Sequence, residues 1–322
     1  MNAITVDPDL QDNLEHPEPA TTAPSGSGPR PRRFTWGKAV GWTVMIVMIV
    51  ITLVPFYWML RTALSSNSAL PGGAADPLPV GFSWGGFERA LGLATPQESL
   101  AAGGSGAAMN FGRYLVNSIA VATMVTVGQV LFSALAAYAF ARMRWPGRDV
   151  IFAAFLGGLM VPTIFTLLPN FLLVRDLGLL DTLPGIALPT MLMTPFAIFF
   201  MRQFFMGIST EIEEAAMLDG ASRIRTFFSI IVPMVSSAVA TLGILTYITS
   251  WNDYLWPLLV SQTDGSRVLT LALGIFRAQS PQSAPDWPGL MAATLLAALP
   301  VLVLYAFFAK RIVNSIGFSG IK

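Results

Sequence analysis

The sequence predicts an all-α integral membrane protein with six transmembrane helices. Hydrophobic residues make up 54% of the 322 residues and charged residues only 11%, whereas soluble domains carry about 25% charged residues. Six charge-free runs of roughly 20 or more residues are each long enough to cross about 30 Å of hydrocarbon. The lysines and arginines gather on one side of the resulting topology, which predicts its orientation.

The spans are bounded by their flanking charges, because an ion at the bilayer centre costs at least about 2.5 to 3.5 kcal/mol. The six bounded runs are 38–61, 113–142, 149–175, 181–202, 225–253 and 286–310. Prolines interrupt the third and fourth runs, and neighbouring helices can satisfy the backbone groups that they free. We therefore expect kinks at Pro162, Pro169, Pro189 and Pro195.

This reading divides the chain into five parts. Residues 1–38 are rich in Pro, Ser, Thr and acids and are expected to be a disordered cytoplasmic tail. Acids come first and basic residues precede a full-length span, so 39–61 is expected to be a retained first transmembrane helix rather than a signal peptide. A long external loop, 62–112, follows. A five-helix core, 113–310, contains the loop 203–225, and 311–322 form a cytoplasmic tail.

Charge placement sets the expected orientation. With six spans both termini lie on one side, and that side collects about 13 of the 19 lysines and arginines. Both termini and loop 203–225 are therefore expected to face the cytoplasm, with the chain among the lipids of the cell inner or plasma membrane.

Several functions are excluded by missing residue types. The sequence has no cysteine, and its single histidine, His16, lies in the polar tail, so disulfides, thiolate chemistry and a His/Cys metal site are not expected. The net charge of +1 does not suggest a nucleic-acid partner. Gly37-Lys38-Ala39 fails as a Walker A phosphate cradle, so no ATPase site is expected in this chain. The spans also lack the ionisable relays of proton-coupled carriers and the convergent catalytic groups of a membrane enzyme.

The charged island at 209–225 predicts two short helices separated by a break. Thr210 and Glu213 have capping-box spacing, which places the first helix start at Glu211. Gly220 is the residue type that closes a helix in the left-handed conformation. Ser222 can cap a second helix that leads into the next apolar run. From the residues alone, this could be an ordinary amphipathic connector between two spans.

The spacing of this island resembles the EAA loop of ATP-binding-cassette (ABC) importer permeases. Glu214-Ala215-Ala216, three residues, Gly220, nine residues, Ile230 and then Val232-Pro233 follow that signature, with Val in place of Leu. The resemblance implies a cytoplasmic coupling helix that docks on one of two ATPase subunits. ATP and Mg²⁺ would be held by those subunits, and no cofactor by this chain. The implied coupling residues are Glu213, Glu214, Ala215, Ala216, Asp219 and Gly220.

Further motifs resemble the second permease subunit of maltose-type sugar importers. They are Pro55-Phe56-Tyr57-Trp58-Met59, Asn117-Ser118, Ala137-Tyr138-Ala139-Phe140-Ala141-Arg142-Met143, Trp251-Asn252-Asp253-Tyr254 and a diverged Gly-rich tail at 317–322. The resemblance implies import of a sugar or oligosaccharide, a second permease subunit and an extracytoplasmic solute-binding protein. The alternatives are an importer for glycerol phosphate, amino acids, phosphate or peptides, or a secondary transporter.

Two sets of polar residues are candidates for the substrate path and for contact with the binding protein. Gln129, Asn170, Asn252 and Tyr254 are candidates for the path, because polar groups at membrane depth usually face a cavity or a partner helix. Gln129 and Asn170 could equally bond between helices, and the aromatic residues near Asn252 could form an interfacial belt. Gln282, Ser283 and Asp286, in a polar external connection, are the candidates for contact with the binding protein.

Overall fold

The computed structural model describes residues 36–104, 106, 109–279 and 285–317, and their regular structure is helical. A short 3-10 turn occupies Leu70–Gly73. The helices are α1 Trp36–Ala63, α2 Gly85–Leu91, α3 Pro96–Ala101, α4 Phe111–Arg142, α5 Arg148–Gly158, α6 Thr163–Asp176, α7 Leu183–Met191, α8 Pro195–Met206, α9 Thr210–Leu218, α10 Arg223–Met234, α11 Ser236–Trp251, α12 Leu255–Val260, α13 Leu269–Gln279 and α14 Trp287–Gly317.

The described residues fall into two units, one that includes residues 36–52 and one that begins at residue 53. In the first unit, the described residues 36–52 are helical, and their apolar side chains are largely exposed. The second unit contains the end of α1 and all the other helices, and its buried side chains form three apolar clusters. Residues 1–35 of the predicted tail lie outside the described residues. Residues 36–38, which were also assigned to the tail, belong to α1.

The number of spans agrees with the predicted six when each bent pair of helices counts as one span. The described helices α1, α4 and α14 are individually long and apolar enough to cross a membrane. The pairs α5/α6, α7/α8 and α10/α11 qualify together and bend by 103°, 49° and 82°. The predicted kinks in the third and fourth spans fall at Pro162 and Pro195, whereas Pro169 and Pro189 lie inside helices.

The bend in the fifth span was not predicted. Pro233 lacks an amide hydrogen and cannot donate to the carbonyl four residues earlier, so it weakens the helical ladder here. The preceding residues, Phe227–Ile231, form a π-helical turn. Val235 then leaves helical geometry, with φ −107° and ψ 26°, and α11 begins at the next residue. The proline that ends the sequence motif therefore also marks a break in the span.

Helix α4 is the central element of the second unit. It runs for 32 residues without an internal proline and packs against α7, α8 and α11. Gly128 permits a close approach to α7, because a Cβ atom there would lie 2.4 Å from Cγ of Met191 and 2.6 Å from its carbonyl oxygen. Because glycine has no side chain, the backbone of α4 can contact Met191 at the end of α7.

The long segment 62–112 is folded in its described part. It contains the 3-10 turn, α2 and α3, and α2 packs against α14. Arg61, predicted to mark the solvent end of the first span, is only 2% exposed. Its Nε donates to the carbonyls of Asp76 (3.0 Å) and Leu78 (3.2 Å), and its Nη2 donates to the carbonyl of Gly73. The charge is thus satisfied inside this segment rather than by water.

Candidate functional site

The charged island folds into α9, with a cap at each end. The hydroxyl of Ser209 accepts a hydrogen bond from the amide of Glu211 (3.3 Å), and the helix begins at Thr210. The predicted start at Glu211 is therefore one residue late. The predicted capping box also does not form, because Ser209 rather than Thr210 is the cap and the carboxylate of Glu213 turns inward to another partner.

The closing turn of α9 is as predicted. Gly220 has a left-handed φ of +80°. Its amide donates to the carbonyl of Met217, and the amide of Ala221 donates to the carbonyl of Ala216, both at 3.0 Å. This pair of bonds is the Schellman motif, in which a glycine satisfies the last carbonyls of the helix. Ser222 caps α10 as predicted, by accepting from the amide of Arg225 at 3.3 Å.

Helix α9 has one face against the protein and one face open. Of the predicted coupling residues, Glu213 and Ala216 are buried, whereas Glu214, Ala215, Asp219 and Gly220 are exposed. The open side also carries large apolar groups, with Leu218 90% exposed and Ile224, at the start of α10, 73% exposed. These exposed apolar groups, together with the exposed carboxylates, make the open side of α9 the candidate docking face.

On the inner side, Glu213 joins the last residue of α4. Its Oε1 lies 2.9 Å from Nε of Arg142, in a buried ion pair whose N–H is not directed at the oxygen as a hydrogen bond requires. Its Oε2 accepts from the hydroxyl of Tyr138 at 3.1 Å. The Nη2 of Arg142 donates to the carbonyl of Phe205 (2.6 Å) and to that of Ile208. One guanidinium therefore connects α4, the end of α8 and the first turn of α9.

A cavity of about 580 Å³ lies among α4, α6, α7, α8, α11 and α12. Its walls are apolar, with side chains such as Val121, Leu242 and Trp256. Hydroxyl and amide groups interrupt these walls. The polar lining residues are Ser118, Gln129, Thr163, Thr166, Asn170, Thr190, Thr194, Thr246, Thr249, Ser250 and Asp253. Asp253 is the one Asp, Glu, Lys, Arg or His among the lining residues in the described part of the chain.

Two of the four predicted path residues line this cavity. Gln129, on α4, donates from its amide nitrogen to the hydroxyl of Thr194 at 3.0 Å, so it also forms the interhelical bond that was its alternative interpretation. Asn170, on α6, lines the cavity, and its side chain makes no hydrogen bond to another described residue. The amide of Asn170 is therefore free to bind a ligand.

The other two predicted path residues lie outside the cavity lining. Asn252 is exposed, and its side-chain amide donates to the carbonyl of Ile248 at 2.8 Å, one turn back at the end of α11. Tyr254 is 43% exposed, and its ring packs against Gly274. The intervening residue, Asp253, lines the cavity instead. The chain leaves helical geometry after Trp251, so the helical period did not indicate which of the three residues would face inward.

At the opposite end of α4 from Arg142, residues 261–268 form a segment that we call the strap. Asp181 accepts hydrogen bonds from the strap amides of Gln262 (2.9 Å) and Thr263 (2.8 Å) and from the hydroxyls of Thr263 (2.6 Å) and Ser266. Hydrogen bonds from Ser266 and Thr263 hold the pKa of Asp181 well below its ordinary value. In the sequence Asp181 marked only the start of the fourth apolar run, and nothing around it indicated this anchor.

The first turns of α4 hold the strap from the other side. The amide of Asn117 donates to the carbonyls of Gly265 (3.0 Å) and Arg267 (2.8 Å). The hydroxyl of Ser118 accepts from the amide of Leu269 at 2.7 Å. The Asn-Ser pair noted in the sequence thus attaches the strap and the first residue of α13 to α4, and Ser118 also lines the cavity.

The predicted binding-protein contacts are only partly visible. Gln282 and Ser283 lie outside the described residues. Asp286 is not on the surface of this chain, since it is only 1% exposed. Its carboxylate receives Nε (2.7 Å) and Nη2 (2.8 Å) of Arg89 and the amide of Gly289 (2.9 Å). The sequence around Asp286 does not indicate Arg89, which lies 197 residues away. Because Asp286 is buried against Arg89, it is not part of the candidate contact surface of this chain.

Comparison with known proteins gives consistent matches. Residues 103–317 match the model of the family described as binding-protein-dependent transport system inner membrane component. The diacetylchitobiose uptake system permease protein NgcG of Streptomyces coelicolor is 30% identical, over 88% of this chain and 88% of its own length. The trehalose transport system permease protein SugB of Mycobacterium tuberculosis is 30% identical, over 88% of this chain and 98% of its own.

Two further similarities concern a different solute and the fold. The sn-glycerol-3-phosphate transport system permease protein UgpE of Yersinia pestis is 37% identical, over 64% of this chain and 74% of its own length. A solved chain from a bacterial ABC transporter involved in import of the acidic polysaccharide alginate superposes with a TM-score of 0.70 over 85% of this chain and 95% of that one, at 24% identity. This structural match establishes the fold.

Proposed function

The chain belongs to the family of binding-protein-dependent transport system inner membrane components, and on that premise we propose that it imports a neutral sugar or oligosaccharide, driven by ATP on separate subunits. Its partners are a second permease subunit, two ATP-binding-cassette ATPases and an extracytoplasmic solute-binding protein. The chain itself supplies the path and the mechanical connection. ATP and Mg²⁺ belong to the ATPases.

The cavity is the observation that carries this proposal. A sugar presents many hydroxyls and apolar ring faces, and the lining offers matching groups, with hydroxyls from four helices beside apolar walls. Ligand sites of this type are mostly apolar, with a few placed polar groups that fix orientation. Asn170 has a side-chain amide available to pair with a sugar hydroxyl, and Gln129, on α4, lines the same cavity.

Import of glycerol phosphate is the second candidate, because one relative carries that name at 37% identity. An anionic solute would meet the carboxylate of Asp253, and the described lining supplies no Lys or Arg to offset it. Like charges in a site of low dielectric repel strongly. The charge of the cavity therefore favours a neutral solute over a phosphate ester.

The open face of α9 is the proposed dock for the ATPases. It presents the carboxylate of Glu214, the small Ala215 and the exposed side chain of Leu218, which together offer a close approach, a charge and an apolar anchor. This assignment requires α9 to face the cytoplasm and the strap to face outward. The excess of lysine and arginine on the α9 side supports that orientation.

The experiment is uptake by proteoliposomes that contain the complex purified through this chain, with its solute-binding protein and internal ATP. Radiolabelled trehalose, diacetylchitobiose and glycerol 3-phosphate are compared at equal concentration. We expect ATP-dependent uptake of a neutral sugar and no uptake of glycerol 3-phosphate. Uptake of glycerol 3-phosphate without uptake of either sugar would reverse the assignment of substrate class.

A further inference from the structure

We propose that the ion pair between Arg142 and Glu213 is the positioning link through which α9 moves α4, and that α4 transmits this motion to the cavity and the strap. The proposal rests on the function proposed for α9 as the coupling helix. It assigns a role to two side chains that lie away from the open face of α9 and from the lining of the cavity.

The first step is the way in which α9 is attached. Glu213 and Ala216 are the two residues of α9 that are buried, and Ala216 ends at a methyl group. The specific polar attachment is therefore Glu213, whose two oxygens contact Arg142 and Tyr138 of α4. The same guanidinium holds the carbonyls of Phe205 and Ile208, at the entry to α9. Displacement of α9 would thus pull directly on the last turn of α4.

The second step is the stiffness of α4. Three of the proposed spans are broken helices that bend by 49° or more, whereas α4 is continuous for 32 residues and contains no proline. At 1.5 Å per residue it extends about 48 Å. A continuous helix carries a displacement along its length, while a broken one can absorb it at the break.

The third step is what α4 contacts along that length. Four of its residues, Ser118, Val121, Val125 and Gln129, line the cavity. Nearer the start of α4, the side chain of Asn117 holds the strap and that of Ser118 holds Leu269, directly after the strap. One helix therefore contacts the coupling helix at one end, the cavity in the middle and the strap at the other end. Motion at Arg142 reaches all three levels without passing through a loop.

Burial makes this pair suitable for the role. The side chains of Arg142 and Glu213 are 7% and 10% exposed, whereas those of the pair Arg148–Asp149 are 28% and 76% exposed. Exposed pairs contribute little because solvent screens them. Removing one partner of a buried pair leaves an uncompensated charge, so the contact resists separation. The Arg148–Asp149 pair serves as a matched control.

The test uses the absence of cysteine from the chain. A single reporter, Ser250→Cys in the cavity lining, is placed in the full complex, and its alkylation rate by a maleimide is measured with and without Mg-ATP and the solute-binding protein. The variants Glu213→Gln, Arg142→Gln and the double Gln variant are compared with Asp149→Asn and Arg148→Gln. Bound ATPase and ATP hydrolysis are measured on the same samples.

We expect ATP to change the alkylation rate in the reporter background and in both control variants. In the two single Gln variants the ATPases should remain bound and active, while the equilibrium constant for the ATP-induced state, obtained from the alkylation rates, falls about tenfold or more, the factor that 1.4 kcal/mol of lost coupling produces. The double variant should recover part of the response, because two amides can bond without leaving a buried charge unpaired.

An unchanged ATP response in both single Gln variants, or no response in the reporter background with ATPases bound, would overturn the proposal. The proposal would also be overturned if the single variants lost both ATPase binding and the ATP response, and the double variant restored neither. The ion pair would then be a contact that only stabilises the fold. A reporter complex that purifies without any ATPase would instead refute the proposed function.

Discussion

Replacing Leu218 by Ala should weaken attachment of the ATPases while leaving the fold of this chain intact. The side chain is 90% exposed, so its removal costs the isolated chain little packing. Full burial of a leucine side chain contributes about 1.5 to 3 kcal/mol, and nearly all of that area is available to a partner at this position. If Leu218 anchors the dock, the dissociation constant should rise by a factor of about 10 to 100.

The assay is titration of purified ATPase onto the detergent-solubilised permease complex, followed by size-exclusion chromatography. Leu177→Ala is the control, since Leu177 is also an exposed leucine, 54% exposed, but lies in the turn at the other end of the bundle. Ala216 is unsuitable for such a test, because it is only 6% exposed and a larger side chain there would disturb the chain itself. Equal affinity of Leu218→Ala and wild type would refute docking through this face.

Three further predictions concern the orientation of the chain, the turn at Gly220 and the anchor at Asp181. An impermeant thiol reagent should label Ala215→Cys only from the cytoplasmic side and Gln262→Cys only from outside, and the opposite pattern would contradict the orientation. Gly220→Ala should destabilise the protein by about 1 to 2 kcal/mol, because φ is +80° there, although no atom lies within 4 Å of the added methyl; an unchanged thermal midpoint would argue against the Schellman turn. Asp181→Ala should lower the thermal midpoint at neutral pH. The folded pKa of Asp181 is lowered from 3.8, so its stabilisation is present above that value and is lost as pH falls through the folded pKa; the difference between variant and wild type should therefore shrink below about pH 4.

The sequence predicted those features of the fold that depend on composition and local chemistry. Span number follows from charge-free length, and the turn at Gly220 follows from the conformational freedom of glycine. The breaks near Pro162 and Pro195 follow from the missing amide hydrogen of proline. The same reasoning applied to Pro233 would have predicted the break in the fifth span, but the long apolar run on both sides concealed it.

Long-range contacts could not be predicted in this way. Nothing local to Asp286 indicates Arg89, and nothing local to Glu213 indicates Arg142, since each partner lies on a distant segment of the chain. Glu213 was a candidate for coupling to the ATPase and Asp286 for contact with the binding protein, and both are buried in this chain. Within 251–254, Asn252 and Tyr254 were candidates for the path, but the helix ends before them and Asp253 faces the cavity. Periodicity gives no guide once the regular backbone stops.

The central claim is that this chain forms the sugar path of an importer driven by ATP on other subunits. The most direct measurement is accumulation of a radiolabelled neutral disaccharide in proteoliposomes containing the purified complex, with wild-type chain or with Asn170→Leu, which removes the unpaired amide from the cavity while keeping a similar size. The account predicts ATP-dependent accumulation by the wild type and at least a tenfold lower rate for the variant, about 1.4 kcal/mol, with ATPases still bound. Equal accumulation by both complexes, or none by the wild-type complex with its ATPases and binding protein present, would contradict it.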